Sequence, residues 1–190
     1  MRRMLAVIVI VVAFALASLP PVSAQGKVDQ MNDWCDWGPT GAWSIVVFSQ
    51  IGQSFLPKKK NLLGVDLFLR DLSGNPLDTV LQVTIHEDTM DGNVVGLTTS
   101  VLSGGFGGFP GGWLHFDFAG KVKLKHDRTY VIEVIQLTPP TSLPNSHNVL
   151  VVGSTPADPD LDPYPEGTKI LSSVEAPPGD LCFKTHTNGK

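Results

Sequence analysis

Cysteine is scarce: Cys35 and Cys182 are the only two among 190 residues. Two thiols are a poor start for structural zinc, which takes four ligands at close spacings. In an oxidising compartment, two thiols and no others predict one disulfide between Cys35 and Cys182; two buried free thiols are the alternative. Long apolar runs are also scarce. Met4–Leu19 is one, and no second run follows that could span a membrane. Basic charge is thin: the 14 lysines and arginines fall to 12 without Arg2 and Arg3, against 18 acids, so phosphate-directed nucleic-acid binding is not expected. Helical periodicity barely occurs. No internal repeat divides the chain, and no linker is long enough to separate two domains.

The apolar run sits in a leader. Met1-Arg2-Arg3 supplies positive charge, and Val22-Ser23-Ala24 places small residues where signal peptidase cuts. The run is shorter than the ~20 residues of a transmembrane helix. Residues 1–24 therefore read as a signal peptide, with a secreted or periplasmic mature chain beginning at Gln25. Residues 25–42 read as an N-terminal segment tied to a domain over residues 43–190.

Alternation with period two recurs from residue 43 onward. Trp43–Ser49 is β-branched and aromatic. Val65, Leu67 and Leu69 share a face, as do Leu81, Val83 and Ile85. Val94–Leu102 is a further strand. Trp113, His115 and Asp117 alternate against Leu114, Phe116 and Phe118. Thr129–Leu137, Val149–Val152 and Leu181–Thr187 complete the set, with Leu181, Phe183 and Thr185 on one face. Turn residues separate these runs: Ser73-Gly74-Asn75-Pro76, Asp91-Gly92-Asn93, and a loop over Gly104–Gly112. Eight or nine strands without a long helix predict an all-β, two-sheet antiparallel sandwich of jelly-roll type. Lys121, Lys123 and Lys125 alternate with Val122 and Leu124, as on an edge strand guarded by outward lysines.

No catalytic set assembles. A Gly-x-Ser-x-Gly elbow is missing. His86-Glu87 lacks the second histidine of a zinc-protease helix. The five histidines form no close pair in sequence. Glu87, Asp117 and Glu133 lie on strands, with nothing to set two of them across a cleft.

Asp158, Asp160 and Asp162 alternate in a manner that suggests hard-cation ligands, with Asp180 as a candidate helper. A structural calcium ion is the one cofactor to consider. However, an EF-hand loop would have Gly and Glu where Pro163 and Lys169 stand, and the prolines favour an extended chain. Sugar rings stack on aromatic faces, which makes Trp113, Tyr164 and Trp37 the candidate ligand groups. Trp and Tyr also fill cores; Trp43 reads as core, and Trp34 with Trp37 as either packing over the disulfide or a platform.

Several segments arrive in a familiar order. They are Gln53-Ser54-Phe55, Leu63-Gly64-Val65-Asp66-Leu67, Gly112–Phe118, Leu124 with Thr129–Glu133, Asp162-Pro163-Tyr164-Pro165-Glu166-Gly167, and Asp180–Thr185. From about Gln50 to Thr187 the chain resembles a family of secreted bacterial and archaeal β-sandwich modules that are similar to carbohydrate-binding modules. His126-Asp127-Arg128 departs from the glycine-containing turn of that family, and Trp34-Cys35-Asp36-Trp37 lies outside its pattern. The resemblance implies a non-catalytic accessory module binding a glycan or a cell-surface component. A structural or adhesive envelope protein is the alternative, and a small extracellular hydrolase the third.

Overall fold

The computed structural model describes residues 26–36, 38, 40–48, 50–71, 78–103, 106, 111–138, 149–156, 161–176 and 178–188. The leader, Trp37, Asp158 and Asp160 lie outside the described residues. Among the described residues no helix is long and apolar enough to cross a membrane.

The described chain forms twelve strands and one short 3-10 turn at Trp34–Asp36. The strands are β1 (Lys27–Asn32), β2 (Thr40–Ser44), β3 (Ile51–Phe55), β4 (Asn61–Asp71), β5 (Thr79–Glu87), β6 (Val94–Leu102), β7 (Gly112–Lys123), β8 (Tyr130–Gln136), β9 (Val149–Ser154), β10 (Lys169–Leu171), β11 (Val174–Glu175) and β12 (Phe183–Thr187). This exceeds the eight or nine expected, because β1, β3, β10 and β11 lack apolar alternation over a useful length. The run expected at Trp43–Ser49 starts and ends earlier as β2, and residues 45–47 are a turn.

Two antiparallel sheets pack as a β-sandwich. In the first, β4 is central. Leu67 pairs with Leu114 of β7 on one edge and with Phe183 of β12 on the other; Leu69 pairs with Gly112 of β7 and Val151 of β9. β12 and β9 thus share one edge of β4, with β1 outside β12 and β2 outside β9. The second sheet runs β11-β10-β3-β8-β5-β6. β1 and β2 make the N-terminal segment part of the first sheet.

Alternation decides what lies between the sheets. Leu67, Phe116 and Phe183 from the first sheet meet Phe55, Tyr130 and Ile132 from the second, all essentially without solvent exposure. Each such side chain contributes about 1.5–3 kcal/mol by burial. β3 is buried along its whole length although it contains Gly52, Gln53 and Ser54. Its polar groups are satisfied internally: Gln53 accepts from the Leu181 amide at 2.8 Å and donates to Asp180 Oδ1 at 2.8 Å.

A smaller apolar cluster covers part of the outer face of the first sheet. Trp34, Phe68, Val152 and Cys182 form it, with Cys35 and Trp113 packed alongside. The Cys35–Cys182 disulfide closes it, with Cα atoms 6.0 Å apart. On β7, Lys121 and Lys123 point to solvent while Val122 turns inward, which guards this edge of the sheet.

Candidate functional site

Among the described residues, the outer face of β7, β4 and β12 carries a compact group of ionisable side chains. Val65, Leu67 and Leu69 face inward, so Gly64, Asp66 and Phe68 face outward. The same logic turns Trp113, His115 and Asp117 outward on β7, Lys184 and His186 on β12, and Cys182 just ahead of β12. Strand register then builds rows across the face: Asp117, Gly64 and His186; His115, Asp66 and Lys184; Trp113, Phe68 and Cys182.

Asp66 lies between two imidazoles. His115 Nδ1 is 2.5 Å from Asp66 Oδ1, and His186 Nε2 is 2.7 Å from Asp66 Oδ2. The far nitrogens are also held: His115 Nε2 by Asp117 Oδ1 at 3.0 Å, and His186 Nδ1 by the Gly26 carbonyl at 3.3 Å. The two rings meet edge to face, 5.1 Å apart. Gly64 makes room, since a Cβ there would lie 2.8 Å from His115 Cε1. Burial pushes the Asp66 carboxyl up, but the hydrogen bonds and charges of both histidines outweigh it and bring it to about 2. His115 is pushed up by its hydrogen bond to Asp66, with Asp117 adding to this against burial. Neither imidazole has a nitrogen free for a substrate. The arrangement is suited to holding a proton or a cation.

Sequence reading missed this cluster. His115 and His186 are 71 positions apart, and only the pairing of β4 with both β7 and β12 brings them together. The outward phase of all three strands was legible; the register was not.

Trp113 is half-buried on the same face. Its Nε1 donates to Asp36 Oδ1 at 3.2 Å, Phe68 meets it edge to face at 5.2 Å, and Lys184 Nζ lies 3.9 Å from the ring centroid. Tyr164 requires a correction. It is only 4% exposed, packed edge to face on Phe183, with its hydroxyl donating to Gln30 Oε1 at 3.1 Å and accepting from the Leu56 amide at 3.3 Å. Its ring has no free face for a sugar, and burial pushes its hydroxyl pKa up.

Of the four acids considered for calcium, Asp162 and Asp180 come together beside a cavity of about 90 Å³ lined also by Leu161, Thr168 and Gly179. Asp180 is buried, and its Oδ2 has no hydrogen-bond donor among the described residues. Burial, with the Asp162 carboxyl adjoining, pushes Asp180 up to about 7 against the lowering effects of Gln53 and the Tyr164 backbone. Asp180 therefore keeps its proton up to near neutrality. A buried cation is already at hand: Lys169, whose Nζ donates to the Pro178 carbonyl at 3.2 Å and lies 4.0 Å from the Trp43 ring centroid. Burial lowers the Lys169 pKa, and Asp180 opposes that shift.

A cleft of about 360 Å³ lies over the second sheet, lined by Ser54, Thr89, Met90, Thr129, Ile170 and Glu175 among others. Among the described residues no aromatic side chain lines it. Nearby on the same face, His86 Nε2 pairs with Glu133 Oε2 at 2.9 Å, and its Nδ1 faces the Gly92 carbonyl at 3.2 Å.

No protein-family model matches this chain, and no curated protein matches it. What the described residues define is a disulfide-tied, all-β sandwich with a compact His/Asp cluster on one sheet face.

Proposed function

We propose that this chain is an exported, non-catalytic recognition module, a sandwich of jelly-roll type that binds a glycan or another cell-surface component. The observation that carries the reading is Trp113 outward on β7, with the Asp117 carboxylate on the same face and Lys184 across it on β12. An aromatic ring beside fixed donors and acceptors is what sugar recognition requires. It stands here on rigid strands at the edge of a sheet, where an extended ligand has access. The jelly-roll assignment is supported by the way the chain passes between sheets, since every strand after β1 leads to or from a crossing. Export is supported by the leader-like N-terminus and by the disulfide.

Retention on a panel of insoluble polysaccharides tests the proposal. Stacking on one aromatic contributes on the order of 1 kcal/mol, so Trp113→Ala should weaken binding about fivefold. Its melting temperature must be followed alongside, because Trp113 also packs on Phe68. Asp117→Ala, at an exposed position, and Lys184→Ala should weaken retention without loss of fold. Absence of retention on every polysaccharide would defeat the glycan reading.

One feature favours the envelope-protein alternative. β6 is the edge of the second sheet, contains no charged residue and no proline, and leaves Val94, Leu97 and Val101 at least half exposed. These outward side chains form an apolar strip suited to contact with another protein, beside the stretch where Thr98 Oγ1 donates to the Asp117 carbonyl of β7. Leu97→Lys should then reduce capture of an envelope partner and leave polysaccharide retention unchanged.

A further inference from the structure

We propose that Asp66, His115 and His186 form a binding site for a divalent transition-metal ion, with zinc the best fit. The inference does not depend on the glycan reading.

The donor set is the first reason. Two imidazole nitrogens and one carboxylate oxygen lie within 4.8 Å of one another. That is the ligand chemistry of zinc sites with three protein ligands and one open position. The oxygen-rich coordination that calcium or magnesium requires is not present.

The second reason lies in the far side of each ring. A metal-bound histidine characteristically donates its other N–H to a carboxylate or a backbone carbonyl, which fixes the ring and its tautomer. Here His115 Nε2 faces Asp117 Oδ1 and His186 Nδ1 faces the Gly26 carbonyl, at 3.0 and 3.3 Å. Each imidazole therefore has one nitrogen anchored outside the cluster and the other turned to Asp66. Charge also closes well. A dication with two neutral histidines and Asp66 leaves one positive charge, which the Asp117 carboxylate opposes.

The fit needs little movement. Ligands at ~2.0–2.1 Å from a tetrahedral ion stand about 3.3 Å apart. The histidine nitrogens now lie 2.5 and 2.7 Å from the Asp66 oxygens, so His115 and the Asp66 carboxylate must each shift by somewhat under 1 Å. His115 can do so, being on an edge strand with its side chain 28% exposed, while His186 at 4% stays fixed by β1. Gly64 leaves the space beneath His115 free of a side chain. The fourth position opens on the His115 side, where water or a ligand oxygen can enter.

The test uses the mature chain with its disulfide intact, stripped of metal by a chelator and dialysed. Titration calorimetry with Zn2+ alone should give one ion per chain. Co2+ should give the intense visible bands of four-coordinate cobalt. Bound zinc should protect His115 from carbethoxylation, read by mass spectrometry of the wild-type chain, which locates the site even if a variant fails to fold. His115→Ala should lower zinc affinity at least 100-fold. Asp117→Asn, which keeps all three ligands, should lower it about 10- to 100-fold. His126→Ala, on an exposed turn, should leave it unchanged. Absence of saturable zinc binding by the wild type overturns the proposal. So do a six-coordinate cobalt spectrum, unprotected His115, or equal losses in His126→Ala and His115→Ala.

Discussion

Replacing Asp180 by Asn tests the electrostatics of the buried interior most directly. Asp180 is 1% exposed, next to Asp162, with one oxygen lacking a donor among the described residues. Its carboxyl titrates at about 7 in the fold, against an ordinary aspartate value of 3.8. Between these two values the unfolded chain has lost the proton and the folded chain keeps it. The folded state then binds more protons, so stability falls as pH rises from about 4 to about 7 and levels off above. At about 1.4 kcal/mol per pH unit the gap is worth on the order of 2–4 kcal/mol. Asn cannot ionise. Its Oδ1 still accepts from Gln53, and its Nδ2 can donate to the Asp162 carboxylate. Asp180→Asn should therefore match the wild type near pH 4 and exceed it at pH 8, by about 5–10 °C in melting temperature. The other charges around the group, Asp162 and Lys169, are common to both proteins, so the difference between paired melting curves from pH 4 to 8 isolates Asp180. A variant less stable than the wild type at pH 8 would refute the reasoning. It would mean that Asp180 is ionised in the fold and sustains Lys169.

Two further outcomes are expected. Cys35→Ala should unfold at lower urea with the fold retained, by about 2–5 kcal/mol, since the bond spans 147 positions; unchanged stability would mean that the pairing of β1 with β12 already supplies the constraint. Millimolar calcium added to metal-stripped protein should leave the melting temperature unmoved, because the proton that Asp180 keeps to near neutrality and the ammonium of Lys169 already offset the charge there; a rise of several degrees would restore the calcium reading.

Strands with one apolar face were legible because burial and period coincide. Val65–Arg70, Val80–His86 and Trp113–Phe118 each put every second side chain into the core, and the structure follows that phase. β3 was invisible for the opposite reason. Ile51–Phe55 is buried on both faces, and it satisfies Gln53 and Ser54 through partners more than a hundred residues away, so nothing local marks it. β1 hides similarly: Gln30 and Asn32 are its buried positions, one held through Tyr164 and the other through the Leu181 carbonyl. Tyr164 illustrates how an aromatic misleads. A phenol suits a wet binding loop or a core with a polar exit, and only the amide of Leu56 and the side chain of Gln30 decide between them. The His/Asp cluster could not be read at all, because pairing of the outward residues depends on register across three strands, and register is set by the inward ones.

One short segment organises both halves of the candidate face. Residues 26–36 run beside β12, from the Lys27–Thr187 pair to the Asn32–Phe183 pair, and then turn over the sheet. At one end the Gly26 carbonyl fixes His186; at the other Asp36 fixes Trp113, and Cys35 is bonded to Cys182 between them. The close approach requires glycine at position 26, since a Cβ there would lie 2.4 Å from the Thr187 carbonyl oxygen. Asn32 adds a buried tie, its amide donating to the Leu181 carbonyl at 3.0 Å. The segment has few apolar residues to hold it by burial alone; Val28 and Met31 are about half exposed. Its position depends instead on strand pairing, these specific polar contacts and one covalent bond. The disulfide therefore acts on more than global stability. It keeps the strip that orients His186 and Trp113 in register with β12, so reduction should loosen both groups together while the inter-sheet core, which contains neither cysteine, remains packed.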